Sequence, residues 1–428
     1  MGEYHSEPRT IAKPETILPS LKAKLVDRQG NIYEWNLVET GCLRSFVMIE
    51  STNVFLPTLE LIVLDRGNEL LGSFTIAGTD KLIIDLSNLT GDSYKYEFEL
   101  YSIKEAELRS LLDIGSNMMT MTFWTPRWRD LFQGFKVRSF GKMPASAVAD
   151  AIIDADEKEI EDSLDARNYI QAQWTDAQFL RHLARYAVGR DSAGYWYFFD
   201  RYDKFFFCTP AYLIKKPLKE GNKFEFVNMP DKIQDMDPEI KPILAWRLVS
   251  NYKTLLLQSG YGSVVKYFDY DTKSYKERTV LYDSTRLPAL TDWVYLPEDD
   301  LNANRIRSSY QGNITDLGYY DEPYRAASRL ISNTTYSLLS LEVIIRGDKN
   351  ILLGDKISVR IPESAGPIGE SLDMTCISGE WLISRISHMI DVRQRSYLMK
   401  LVLVRSGINK SKEYGDVKGL TPPAGERV

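Results

Sequence analysis

The chain has 428 residues, 44% of them hydrophobic and 26% charged, which excludes a largely disordered chain, a collagen-like fibre and a coiled-coil rod. At ~150 residues per domain, the length implies about three domains. The 53 Lys and Arg stand against 59 Asp and Glu, a net charge of −6, which argues against a surface built to grip nucleic-acid phosphates.

Residues 1–20 carry three prolines and little periodicity, and are expected to form an arm that orders against a partner. Strand patterns begin at Leu21. The clearest is residues 94–100, Tyr-Lys-Tyr-Glu-Phe-Glu-Leu, with apolar residues on one face and charges on the other. Residues 61–64 and 82–84 are apolar runs closed by turn residues, and residues 119–123 and 135–140 complete a first β domain over 21–140. A helix period then sets in. Pro144 opens a short helix with Val148, Ala151 and Ile152 on one face. The acidic run 154–165 reads as a solvated helix or loop.

The strongest helix follows. Thr175 and Gln178 form a capping box, in which hydroxyl and amide satisfy first-turn N–H groups reciprocally. Phe179, Leu180, Leu183, Ala184 and Ala187 form its apolar stripe, and Gly189 is expected to cap it in a left-handed conformation. Residues 195–199 and 204–207 read as two buried strands of a hairpin, so 141–235 is an α+β domain. Residues 236–321 read as a further β-rich domain. Residues 322–406 contain a helix after Pro323 and the strands of a second β region, and 407–428 form a polar, flexible tail. The predicted class is therefore α+β, mostly β.

One internal echo stands out. Asp113-Ile114-Gly115, the strand 119–123 and Gly134 resemble in order Leu353-Gly354-Asp355, the strand 356–361 and Gly379. It predicts two tube-like antiparallel β-barrels in one chain, with the α+β and β-rich domains inserted between them.

Chemistry-bearing patterns are sparse. His5, His182 and His388 are the three histidines, and no HxxxH, HxH or CxxC spacing points to a metal. Cys42, Cys208 and Cys376 are far apart and read as reduced thiols, which fits folding in a reducing compartment. No Gly-x-Ser-x-Gly elbow and no phosphate-cradling glycine loop occurs. In the acidic run, Lys158 and Glu159 stand where a calcium loop needs a ligand and a glycine. The first residues lack the basic and apolar regions of a signal peptide, and no apolar run approaches the ~20 residues of a membrane span. No catalytic, cofactor or metal residues are expected.

Three segments together carry a resemblance. Thr175-Asp176-Ala177-Gln178-Phe179-Leu180-Arg181-His182-Leu183-Ala184-Arg185-Tyr186, followed by Gly194-Tyr195-Trp196-Tyr197-Phe198-Phe199-Asp200, resembles the helix-then-hairpin signature of phage tail hub proteins, including the late-control protein D family and the first half of the type VI secretion spike. Leu353-Gly354-Asp355-Lys356-Ile357-Ser358-Val359 resembles their Gly-Asp strand start. Residues 378–388, ending in His388, with 397–405, beginning at Tyr397, resemble their closing strands, and 260–276 is similar to the middle region of myophage hubs. The resemblance implies that Phe179, Leu180, Leu183, Gly134, Gly354, Asp355, Gly379, His388 and Tyr397 are structural motif positions.

It further implies a non-enzymatic baseplate hub in a virion tail, assembled in the host cytoplasm. Three chains would present six barrels, joining a sixfold tail tube or distal tube protein to a separate threefold spike. Wedge proteins of the baseplate would be further partners, and genome DNA would be only in transit through the channel. Nothing after Arg405 resembles a lysozyme domain or a spike needle. Two other functions compete: a tail-tip peptidoglycan hydrolase working through paired carboxylates, and a carbohydrate-binding tail protein using exposed aromatics. Trp124, Trp128, Trp174, Trp196, Trp246 and Trp381 are expected in cores or interfaces instead.

Overall fold

The structure is a computed structural model that describes residues 20–27, 29–35, 42–66, 81–87, 93–106, 116–164, 166–187, 189, 196–201, 204–226, 240–250, 263–269, 273–280, 293–294, 309–313, 339–348, 350–362, 377–391 and 396–408. The arm before Ser20, the helix expected after Pro323, Cys376 and the tail beyond Ile408 lie outside the described residues. The chain divides into two compact units. The first comprises residues 1–48, 58–126 and 388–398, and the second 49–57, 127–387 and 399–428.

The first unit is built on β1 (Ser20–Val26), β2 (Ile32–Trp35), β3 (Leu43–Ser51, whose last three residues belong to the second unit), β4 (Thr58–Arg66), β5 (Lys81–Ser87), β6 (Ser93–Ala106) and β7 (Ser116–Trp124). Alternation fixes which face is buried, because successive side chains of a strand point to opposite sides. In β4, Leu59, Leu61 and Val63 are buried while Glu60 is exposed. In β6, Tyr96, Phe98 and Leu100 are buried while Glu97 is exposed. Glu99 departs from the expected polar face and is buried beside the register shift between Leu100 and Ser102. Phe46, Met48, Leu82, Ile84, Met119, Met121 and Phe123 complete the core, with Ile390. Each such side chain contributes about 1.5–3 kcal/mol on burial.

The second unit contains the helices α1 (Trp128–Phe132), α2 (Ala145–Ile152), α3 (Asp176–Tyr186) and α4 (Pro210–Lys215). Among them run β8 (Lys136–Pro144), β9 (Lys158–Ile160), β10 (Ala166–Trp174), β11 (Tyr197–Asp200) and β12 (Phe205–Cys208). β8 pairs with β10 as a two-stranded ribbon. β11 and β12 form the expected hairpin, and β12 also takes β9 as a parallel neighbour. The acidic run is thus partly a strand, held by the half-buried Ile160. In α2 the buried residues are Ala145, Ser146, Val148, Ala149 and Ile152, whereas Ala151 is exposed.

The remaining strands are β13 (Lys223–Phe226), β14 (Ile240–Ser250), β15 (Ser263–Asp269), β16 (Ser274–Val280), β17 (Trp293–Val294), β18 (Ser309–Asn313), β19 (Leu339–Arg346), β20 (Lys356–Arg360), β21 (Gly379–Asp391), β22 (Ser396–Arg405) and β23 (Gly407–Ile408). Six of them close on themselves in the order β13-β20-β21-β22-β19-β14, with β14 returning to β13. This is a closed six-stranded barrel. β15, β16 and β18 form a separate small sheet, and β17 pairs with β23.

The first unit repeats this order. Its strands run β2-β1-β5-β6-β7-β4-β3. Taking β1, β5, β6, β7 and β4 for β13, β20, β21, β22 and β19 leaves β2 and β3 in the place of β14. The two halves of β14 divide the same labour: residues 240–243 pair with β13, and residues 243–250 pair with β19. In the first unit β2 pairs with β1 and β3 with β4.

The echo read in the sequence aligned residues 119–123 with 356–361. The strand orders instead equate β5 with β20 and β7 with β22, so the repeat lies in topology and not in that residue match. A glycine turn before a strand is too common to set the register of a repeat. The antiparallel order expected of both barrels is broken at β13. β1 is antiparallel to both neighbours, whereas β13 is parallel to β14 and β20. The connections account for it. β1 reaches β2 by a tight turn in which Asp27 Oδ1 accepts from the N–H groups of Gln29 and Asn31, both at 2.8 Å. β13 reaches β14 through residues 227–239, the crossover length a parallel pair needs.

Candidate functional site

The expected motif residues do not converge on one catalytic centre. Apart from Gly134, they divide among three places, each with its own physical role.

The first is α3. Thr175 Oγ1 accepts from Gln178 N–H at 3.2 Å, and Gln178 Oε1 accepts from Thr175 N–H at 3.0 Å, so the capping box is formed. Phe179, Leu180, Leu183, Ala184 and Ala187 are all buried, in one core with Trp196, Phe198, Phe205 and Phe207 of the hairpin. The helix does not end in a left-handed glycine. Ala187 is extended, its N–H donates to Leu183 O at 2.8 Å, and Gly189 bridges to Ser163.

Asp176 opens α3, where an acid meets the positive end of the helix dipole. It is buried and accepts from Lys136 Nζ at 2.7 Å, from Gln171 Nε2 at 2.8 Å and from Arg138. Arg138 Nε also donates to Gln171 Oε1 at 2.8 Å. One carboxylate therefore fastens both strands of the β8–β10 ribbon to α3. On the same helix, His182 lies with its ring 4.9 Å from Trp174 and 6.1 Å from Phe179. Burial, with the nearby Arg167 and Arg185 charges, pushes its imidazole down to about 4. His182 is thus neutral at physiological pH, a packing residue.

The second place is the corner before β20. Gly354 has φ +80, a left-handed conformation that favours glycine. A Cβ there would stand 3.3 Å from Phe199 Cζ and 3.5 Å from Leu213 Cδ1. Gly354 N–H donates to Ile383 O at 3.0 Å, and Ile383 N–H donates to Asp355 O at 2.9 Å, which fixes the corner to β21. Asp355 is buried and carries two cations: Arg201 Nη1 at 3.4 Å from Oδ1 and Lys219 Nζ at 2.6 Å from Oδ2. Arg201 is itself buried, donates to Leu353 O at 3.4 Å and lies 4.7 Å from the Phe206 ring centroid. The Gly-Asp pair thus clamps β20 and β21 of the barrel to the β11–β12 hairpin and α4. Gly379, φ +125, starts β21, and Gly134, φ +80, precedes β8.

The third place is His388 and Tyr397, whose Nδ1 and Oη are 2.6 Å apart. His388 is buried, and the partly buried Tyr397 packs on the core of the first unit. The contact is a core hydrogen bond.

Among the described residues no group of three or more His, Cys, Asp or Glu could hold a metal ion. Cys208 is fully buried, and burial, then Glu161, raises its thiol well above the ordinary value, which makes it inert. No described helix is long and apolar enough to cross a membrane. Arg201, Lys219, Lys136, Arg138 and Gln171 were not legible as site residues, because each acts through a partner distant in sequence. Trp196 and Trp381 are fully buried, as expected of core residues.

A closed six-stranded barrel, a second unit of the same strand order and a capped helix on a hairpin define the class: the chain has the fold of phage tail proteins. Its similarity to a tail protein from Neisseria meningitidis MC58 covers 91% of this chain and 98% of that one, with TM-score 0.55 and 9% identity. The 43 kDa tail protein of prophage MuSo2 from Shewanella oneidensis matches over 90% and 99%, with TM-score 0.56 and 11% identity. A chain of the lidded Francisella PdpA–VgrG complex matches over 92% of this chain and 53% of that one, with TM-score 0.50 and 8% identity. No family model and no curated protein matches the sequence.

Proposed function

We propose that the chain is a structural tail hub. Three copies form a ring whose six barrel modules join a sixfold tail tube to a threefold spike carried on a separate chain. The observation that carries this reading is the shared strand order of the two units. A chain that repeats one module can present six similar surfaces from three copies, and closed cyclic symmetry is the common way to build such an assembly. The fold likeness to two tail proteins over about nine-tenths of the chain supports the location, a virion tail assembled in the host cytoplasm. The likeness to part of a PdpA–VgrG complex supports a spike as neighbour. Wedge proteins of the baseplate would pack outside the ring.

The role is mechanical. The buried clamps around Asp176 and Asp355 hold elements at fixed positions, as a ring under mechanical strain requires of each subunit. The net charge of −6 suits a channel that genome DNA traverses without adhering. The test is the mass of the purified full chain at micromolar concentration by analytical ultracentrifugation. Three times the 49.1 kDa chain mass is expected, and a monomer at all concentrations contradicts the ring. A zymogram on host cell wall is expected to show no clearing. A clearing band would favour the hydrolase.

A further inference from the structure

The β8–β10 ribbon has two unlike faces. Its inner face carries Lys136, Arg138, Tyr169 and Gln171, and Asp176 fastens it to α3. Its outer face is set by the cross-strand pairs Val137 with Ala172 and Ser139 with Ile170. Val137 is 72% exposed and Ile170 62%. Phe135, just before β8, is 74% exposed, and Leu164, just before β10, is 58% exposed. Ser139, Gly141, Asn168 and Ala172 are also exposed, and the one charged residue among these outer positions is Lys142, in the bulge opposite Asn168 toward the far end of β8.

Sheet faces turned to water ordinarily carry charged and polar residues, as Glu60 and Glu97 do in the first unit. Phe135, Val137 and Ile170 together present on the order of 350 Å² to solvent, within the range where the largest patch of a monomer is functional. With the small exposed residues between them, the face approaches the ~800 Å² that one partner contributes to a standard interface. It is also rigid beforehand, which lowers the entropic cost of docking.

We infer that the outer face of the β8–β10 ribbon is a contact surface between copies of this chain. The inference rests on the ring reading above and deepens it. A second copy is favoured over a charged partner because the centre of the face, Val137, Ser139, Ile170 and Ala172, carries no charge and Lys142 stands only toward one end, as in the polar rim of an interface. Depletion of charge and a high apolar share mark interfaces that are buried permanently between identical subunits. A closed threefold ring uses head-to-tail contacts, so each copy needs one such face to bury on its neighbour, and one ribbon per chain supplies it.

The test places an arginine in the centre of the face. Ser139 is exposed, so Ser139→Arg leaves the fold of a single copy intact, verified by an unchanged far-UV spectrum and melting curve. An unpaired charge trapped in the contact is expected to weaken association ~100-fold or more. The double variant Val137→Ser/Ile170→Ser removes apolar area without adding charge, and is expected to weaken it by at least about 30-fold. Sedimentation of wild type and both variants gives the answer. A three-chain wild type with folded one-chain variants supports the ribbon contact. Three-chain variants overturn it while leaving the ring intact. A one-chain wild type overturns the ring reading and this contact with it.

Discussion

Replacing Asp355 by alanine is expected to destabilise the second unit by about 3 kcal/mol. The carboxylate sits between buried Arg201 at 3.4 Å and Lys219 at 2.6 Å. Removing one partner of a buried ion pair typically costs ~3–5 kcal/mol, because the other charge stays desolvated. Here the lower end applies. The Arg201 contact is long, and Arg201 keeps the Leu353 carbonyl and the Phe206 ring after the substitution. Lys219 is 49% exposed, so its share is under ~1 kcal/mol despite the shorter distance. Urea unfolding followed by far-UV circular dichroism measures both. Asp355→Ala should lose about 3 kcal/mol and Lys219→Ala no more than ~1 kcal/mol. If Asp355→Ala stays within ~1 kcal/mol of wild type, or if Lys219→Ala costs as much, the clamp described for the Gly-Asp corner is wrong.

Other substitutions probe single features. Thr175→Ala breaks the capping box and is expected to cost ~1 kcal/mol in the same unfolding assay. Gly354→Ala and Gly134→Ala both place a side chain on a left-handed backbone, at ~1–2 kcal/mol each. Only Gly354→Ala also crowds Phe199, so it should be the more destabilising of the two, and equal losses would contradict the close approach. His182 has a native pKa of about 4, below its ordinary 6.5. Between these values the unfolded chain binds more protons, so the stabilisation is complete above pH 6.5 and is lost as pH falls toward 4. The partly exposed ring limits this to under ~3 kcal/mol. His182→Asn should flatten the stability profile over that window, and an unchanged slope would refute the burial of His182.

Local chemistry was legible in the sequence; long-range partnership was not. Thr175 and Gln178 announce their helix because the capping hydrogen bonds span three residues. The stripe from Phe179 to Ala187 and the alternation of Lys356–Arg360 follow from the period of one element. The strand repeat is legible in kind but not in alignment, since residue similarity near Gly115 and Gly354 carries no register. The reversal of β13 could not be read, because its neighbours β14 and β20 are chosen by closure of the barrel. Nor could the ribbon. Val137 and Ile170 alternate with Arg138 and Gln171 like any half-buried strand, and the sequence alone favours the apolar residues as the inner face. Asp176 reverses that choice by fastening Lys136, Arg138 and Gln171 inward.

The most direct measurement of the central claim is an electron cryomicroscopy map of the isolated full-length oligomer. A threefold particle whose ring contains six barrel densities, two from each chain and matching in strand order, is the predicted result. A particle with one barrel per chain in its ring, or a ring without threefold symmetry, would contradict the account.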